Sequence, residues 1–188
     1  SYLAGNPSVD AILTDFVRDL ESSNAVITVA AQHSNWTGTR ADTGTTGLGG
    51  FTTCPNNATM TVANCNTWTY KGLDSSNVIY AGEVDSSDNI PSWSNQAGET
   101  HKNQFIVTSS DYITTASDGG THGNSFAAPR VAGAGALVRH KFPNLSGAQT
   151  ATTILHTADD LGVAGVDAVY GHGKLNVGKA LSPVGNLH

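Results

Sequence analysis

The sequence predicts an α/β fold, a doubly wound and mostly parallel sheet with helices on both faces. Strand-like and helix-like segments alternate along the 188 residues, which is the pattern of successive βα units. The strand-like runs are almost continuously apolar, as expected for strands that are covered on both faces. No internal repeat, linker or low-complexity stretch interrupts the alternation. We therefore expect one continuous unit.

Residues 8–107 contain one predicted helix and three predicted strands. From Ser8 to Leu20 the apolar residues recur at helical spacing and form a single stripe. Buried strands are predicted at 25–31 and 78–84, and a third at 105–107. The stretch 34–72 is rich in Gly, Thr and Asn and has few apolar anchors. It is interpreted as a long excursion of loops.

The second half of the chain is predicted to be mainly helical. Residues 126–140 are crowded with Ala and Gly and predict a helix. Pro129 would lie in its first turn, where a missing N–H costs little. Further helices are predicted at 146–158 and 175–181.

The composition excludes several classes of protein. The formal net charge is −6 and Lys and Arg form no cluster, so neither a nucleic acid nor an anionic membrane surface is an expected partner. The longest apolar runs are far shorter than the roughly 18 residues that a membrane span needs. No basic-then-apolar leader opens the chain. The abundance of Gly, Ser, Thr and Asn is typical of a secreted protein.

The two cysteines predict a disulfide. Cys54 and Cys65 are separated by ten residues of a polar stretch, and closing such a loop would stabilise the fold by roughly 3 kcal/mol on the chain-entropy model. His and Cys ligands at zinc-site spacing do not accompany them, which favours a disulfide over a metal site. Two free thiols are the alternative.

The most informative segment surrounds Ser125. Gly123 and Asn124 precede this serine at the expected start of a helix rich in small residues. A hydroxyl at a helix N-terminus lies among free N–H groups and at the positive end of the helix dipole, where an oxyanion is stabilised. The alternative is that Ser125 is only the N-cap of the helix, which is the commonest role of a serine before a helix.

The segment Gly-Asn-Ser-Phe-Ala-Ala-Pro-Arg-Val-Ala-Gly-Ala-Gly-Ala-Leu at 123–137 resembles the nucleophile box of the subtilisin-like serine proteases. Four other regions, 1–5, 26–31, 78–88 together with 93–95, and 170–176, resemble further boxes of that family in the family's order. The resemblance implies a subtilisin-like sheet and hydrolysis of peptide bonds in peptide or protein substrates. Residues 1–188 would be the C-terminal portion of a single catalytic domain.

The resemblance implies a role for each of these segments. Ser125 would be the nucleophile. The oxyanion donor would be His33 by a gapless alignment, or Asn35 if the loop is two residues longer. Asn124 would be either an additional donor or a loop amide that bonds to backbone. Substrate-binding residues would lie in the first and second matching segments: Ser1, Tyr2, Leu3, Ala4, Gly5, Ala30 and Ala31. Arg130 stands where the family commonly has a histidine, and it is not expected to be catalytic.

The catalytic His and Asp are expected from outside this sequence. In this family the chain order is Asp, His, Ser, and both earlier boxes should precede the segment that here begins at Ser1. Asp42 and His122 imitate those boxes by coincidence, and the other histidines lie on polar or terminal segments and are expected at the surface. We therefore expect the N-terminal half, a separate associated chain, as partner. The alternative is a non-catalytic subtilase-like fragment or a secreted binding module.

No cofactor is expected to be required. Structural calcium occurs in the family, but the aspartates of this chain are scattered and form no loop of ligand spacing, so the metal content stays unknown from sequence. These aspartates are Asp42, Asp85, Asp88, Asp111, Asp118, Asp159 and Asp160. The closing segment 180–185 resembles a catalytic-domain end of bacterial secreted and autotransported members. A secreted or extracytoplasmic location, such as a bacterial cell surface, is expected.

Overall fold

The computed structural model describes residues 15, 18–20, 22–31, 52–53, 66–67, 75–91, 94–109 and 123–182. Residues 15, 18–20 and 22 are helical, within the first predicted helix and just beyond it. The further elements, in chain order, are β1 (Ile27–Ala30), β2 (Thr52–Thr53), β3 (Asn66–Thr67), β4 (Val78–Val84), α1 (Gly98–His101), a 3₁₀ turn (Lys102–Gln104), β5 (Phe105–Ser109), α2 (Asn124–Lys141), α3 (Gly147–His156) and α4 (Val177–Ala180).

The main sheet of the described residues is parallel, as predicted. Its strand order is β1-β4-β5, with Ile27 opposite Val78 and Tyr80 opposite Phe105. All three predicted strands are confirmed. The prediction that 34–72 contains only loops is wrong, because β2 and β3 pair antiparallel within it. Their threonines are β-branched and favour extended backbone. This preference was not recognised in the sequence because the surrounding stretch has few apolar residues.

The two faces of the sheet are covered differently. Ile79, Ala81 and Ile106 face α2, α3 and α4 and belong to one buried cluster. The alternate residues, among them Tyr80 and Phe105, form a second cluster on the opposite face. There the short α1 and the chain near 161–170 provide the cover. Both faces are thus buried, which explains why the strands are apolar almost throughout.

Helix α2 runs antiparallel to the strands. Near its N-terminus, Arg130 donates a hydrogen bond to the carbonyl of Ser109 at the carboxyl end of β5. Near its C-terminus, Arg139 donates to the carbonyl of Asn24, just before β1. The first turn of α2 therefore lies at the carboxyl edge of the sheet, where open α/β folds bind ligands.

The helix boundaries differ from the predictions by a few residues. α2 begins at Asn124 rather than 126, so Pro129 lies in the second turn and the carbonyl of Ser125 has no N–H four residues later to accept from. Ser146 caps α3 in a reciprocal capping box with Gln149, at 3.1 and 2.9 Å. Asn176 caps α4, which is shorter than predicted. Among the described residues, no helix is long and apolar enough to cross a membrane.

The segment before α4 extends the sheet beyond β5. The N–H of Val107 donates to the carbonyl of Gly173 at 2.9 Å, and the N–H of Leu175 donates to the carbonyl of Val107 at 2.8 Å. Gly173 has φ +97°, and a Cβ there would lie 2.1 Å from the carbonyl oxygen of Asp159. Only glycine permits this approach. A salt bridge between Lys174 and Asp88 holds the segment against the turn after β4.

Candidate active site

The candidate site lies where α2 begins. Gly123, its N-cap residue, has φ 151° and ψ 153°, a region that essentially only glycine occupies. Glycine carries no side chain, and no side-chain cap closes this helix. The alternative that Ser125 caps the helix is wrong, because Ser125 lies inside the first turn. The start of the helix depends on the backbone conformation of Gly123, and the residue types around Ser125 do not specify that conformation.

Ser125 is accessible and lies in a favourable electrostatic position. Its side chain is exposed, whereas the preceding Asn124 is 1% exposed. The backbone N–H of Ser125 belongs to the first turn, where such groups have no acceptor within the helix. The positive end of the α2 dipole adds to this effect and stabilises a nearby negative charge. The geometry can therefore present a hydroxyl and an oxyanion donor from one residue.

A buried side-chain pair supports the residue before Ser125. The hydroxyl of Ser94 donates to Oδ1 of Asn124 at 2.9 Å, and Ser94 is fully buried. Ser94 lies in the loop between β4 and α1, 30 positions earlier in the chain. Ser94 was not predicted to be a site residue. Its only signal in the sequence is its place in a segment that resembles the family.

The remaining predicted site residues divide into two groups. Ala30 ends β1 half-buried, and Ala31 is fully buried with its N–H donating to the carbonyl of Ala81 at 2.8 Å. Both lie at the same carboxyl edge as the start of α2. The others fall outside the described residues: Ser1, Tyr2, Leu3, Ala4, Gly5, His33, Asn35, Cys54 and Cys65.

The described histidines lie away from Ser125 or are buried elsewhere. His140 is in the last turn of α2, about 22 Å from Ser125 at 1.5 Å per residue. His156 and His172 stack with ring centroids 5.3 Å apart at the end of α3. The prediction that His101 is at the surface is wrong, because it is 8% exposed and packs 5.0 Å from the Tyr80 ring. The cause is the packing of α1 onto the sheet, which is not local.

In the part of the chain that the structure describes, three titratable groups have shifted pKa values, and each shift has a structural cause. Burial lowers the pKa of His172, partly opposed by its hydrogen bond with the carbonyl of Asn103 at 3.1 Å. The hydrogen bond from Lys179 lowers the pKa of the Asp159 carboxyl. The backbone N–H of Asn89 lowers the pKa of Asp85. These carboxylates stabilise turns and the C-terminal segment.

Metal ligands do not cluster in the described part of the chain. No group of three or more His, Cys, Asp or Glu side chains that could hold an ion occurs there. Asp88 pairs with Lys174, and Asp159 pairs with Lys179 and Asn176. The oxygens of these carboxylates are thus used within the fold.

Several relatives share sequence with this chain. It is 47% identical over 60 residues to the Neisserial autotransporter lipoprotein NalP of Neisseria meningitidis, covering 32% of this chain and 6% of that protein. It is 42% identical over 64 residues to an extracellular serine protease of Serratia marcescens, covering 34% and 6%. With subtilisin DY of Bacillus licheniformis the identity is 39% over 102 residues, covering 53% and 35%. The matches span about a third or less of each relative's length.

Solved structures and a family model extend the comparison to most of the chain. A lanthipeptide protease superposes with a TM-score of 0.60 at 21% identity, covering 97% of this chain and 58% of that one. MycP1 of Mycobacterium smegmatis gives the same TM-score at 20% identity, covering 88% and 43%. Both share the fold. The family model described as the subtilase family matches residues 4–173, and the chain therefore belongs to the subtilase family of serine proteases.

Proposed function

We propose that this chain provides the nucleophile side of a serine endopeptidase. One observation carries the proposal. Ser125 is exposed in the first turn of an 18-residue helix, and that helix begins directly after Gly123, whose backbone conformation only glycine readily adopts. This arrangement fixes a hydroxyl and a backbone N–H at the sheet edge where ligands bind. Family membership supplies the reaction class, acyl transfer.

The reaction proceeds through an acyl-enzyme. Oγ of Ser125 attacks the peptide carbonyl while its proton passes to a histidine, which then protonates the leaving amine. The carbonyl oxygen becomes negative and accepts hydrogen bonds from the N–H of Ser125 and from His33 or Asn35. Each such donor is typically worth about 2.7–4 kcal/mol of barrier. Water then hydrolyses the ester and regenerates the serine. This chemistry uses side chains and backbone alone and requires no cofactor.

The histidine and its aspartate come from the N-terminal half of the protease, which associates with this chain. The support is an uncovered apolar face of α2 on the side of Ser125. Leu137 is 50% exposed, and Ala132, Gly133 and Ala136 are also exposed. Among the described strands, β1 ends the main sheet. Apolar helix faces and open strand edges are normally covered, and an upstream segment would cover both.

The substrate peptide binds as an added strand. Ser1 to Gly5 form the segment that aligns it, and Ala30 and Ala31 contribute at the end of β1. The support for a contribution from Ala30 and Ala31 is that both lie at the carboxyl edge of the sheet, where Ala31 is hydrogen-bonded to the neighbouring β4. Main-chain hydrogen bonds would give affinity, and side-chain pockets would give specificity.

A fluorophosphonate probe tests the proposed function. The chain produced together with its N-terminal half should be labelled at Ser125, and Ser125→Ala should abolish labelling. Ser87→Ala, which removes an exposed turn hydroxyl instead, is the matched control and should label normally. The chain produced alone should label at least a hundredfold more slowly, because the general base is missing. A complete assembly that neither labels nor cleaves peptides would establish the alternative, a non-catalytic binding module.

Two further properties belong to the proposal. Secretion to the cell surface or medium is supported by relatives described as an autotransporter lipoprotein and an extracellular protease. A disulfide between Cys54 and Cys65 is supported by the antiparallel register of β2 and β3, in which Thr53 lies opposite Asn66. Peptide mass mapping without reductant should recover the two cysteines in one linked fragment. Two separately alkylated cysteines would contradict the bond.

A further inference from the structure

The start of α2 needs an anchor that its own N-cap residue does not supply. Gly123 has no side chain, and the helix has no side-chain cap. Glycine is also the residue with the greatest backbone freedom. The position of the first turn, and hence of Ser125, must be fixed by other contacts. One such contact is the hydrogen bond from Ser94 to Asn124.

This bond has the properties of a rigid anchor. Both side chains are buried, Ser94 completely and Asn124 to 99%, so water does not compete for the 2.9 Å contact. In such surroundings a hydrogen bond is stronger and its loss more costly than at the surface. Ser94 is itself held in its turn, since its N–H donates to the carbonyl of Pro91 at 2.9 Å.

We infer that Ser94 is a positioning residue for Ser125 and acts through Asn124. The inference rests on the proposed function of Ser125 and names a residue outside the resemblance-based site. Because Asn124 is the first residue of α2, a fixed carboxamide fixes the helix start and with it the hydroxyl and N–H of the next residue. The 1% exposure of Asn124 favours this anchoring role over direct donation to the substrate oxygen.

Kinetics of the complete assembly test the inference. Ser94→Ala should lower kcat and the probe-labelling rate about tenfold and leave KM within about twofold, because the substrate contacts remain. A nucleophile misplaced by 1 Å costs about a hundredfold in rate, and we expect a smaller displacement here. Asn124→Ala should give a loss of the same size, and adding Ser94→Ala to it should cause no further loss. A much larger loss for Asn124→Ala would overturn the anchoring role in favour of direct donation.

A matched control separates positioning from stability. Thr153 is fully buried, and its hydroxyl donates to the carbonyl of Gln149 within α3 at 2.7 Å. Thr153→Val removes a hydroxyl of equal burial far from the site. It should lower the melting temperature without lowering kcat per folded molecule. Equal kcat losses in Thr153→Val and Ser94→Ala would overturn the inference.

A second measurement is independent of activity. Hydrogen exchange at the Phe126 amide, which donates to the carbonyl of Gly123 at 2.9 Å in the first turn of α2, should be about tenfold faster in Ser94→Ala than in the unaltered assembly. Exchange in α3 should stay unchanged. If the unaltered assembly fails to label, the proposed function fails and this measurement still decides the anchor. Unchanged exchange throughout α2 would overturn it.

Discussion

Replacement of Gly123 by alanine tests the structural basis of the site directly. The backbone of this residue is at φ 151° and ψ 153°, where a residue with a Cβ is strained by about 1–3 kcal/mol. If the strain is retained, the free energy of unfolding falls by that amount. The ratio of folded to unfolded molecules then falls about 5-fold to 150-fold, at 1.36 kcal/mol per tenfold.

The chain can also escape the strain by moving the start of α2. Ser125 then shifts, and a displacement of 1 Å costs about a hundredfold in reactivity. The assay therefore has two readouts, urea unfolding followed by circular dichroism and the rate of fluorophosphonate labelling at Ser125 in the complete assembly. We expect a loss in at least one of them, because the strain has to be either kept or relieved.

The matched control is Gly165→Ala. Gly165 also has a positive φ, +88°, but a Cβ there would meet nothing within 4 Å. It lies in the loop after α3 and is not part of α2. We expect a stability loss of about 1 kcal/mol and unchanged labelling. If Gly123→Ala leaves both the unfolding free energy and the labelling rate unaltered, the reasoning about the helix start is refuted.

Three further predictions concern the rest of the fold. Burial lowers the pKa of His172, so its stabilising contribution is complete above the unfolded value of about 6.5 and is lost as the pH falls towards the lower folded value. His172→Gln should therefore flatten the fall in melting temperature between pH 7 and 5, and an unchanged pH dependence would contradict this assignment. Ile154→Ala should cost about 2–5 kcal/mol in urea unfolding, because Ile154 is fully buried beneath the sheet; a cost below 1 kcal/mol would contradict that packing. Ser146→Ala should cost about 1 kcal/mol by loss of the α3 cap, and Ser182→Ala, at an exposed residue, should cost nothing measurable.

Much of the fold followed from the sequence because its signals are local. The strand predicted at 78–84 has those bounds in the structure, since a continuous apolar run of that length fits a strand buried on both faces. The helix predicted at 146–158 is confirmed as α3, and the capping box that fixes its start lies within four consecutive residues. β2 and β3 were missed because two-residue strands carry no periodic signal.

The parallel α/β fold, the family and the nucleophile candidate could be predicted from the order of residues, because alternating apolar segments and a short motif around Ser125 do not depend on distant contacts. The groups around Ser125 could not be predicted in this way. The burial of His101 under Tyr80, the bond from Ser94 to Asn124 and the exposed face of α2 all depend on residues far apart in the chain. Burial and hydrogen-bond partners are set by how elements pack, and packing is a property of the whole fold.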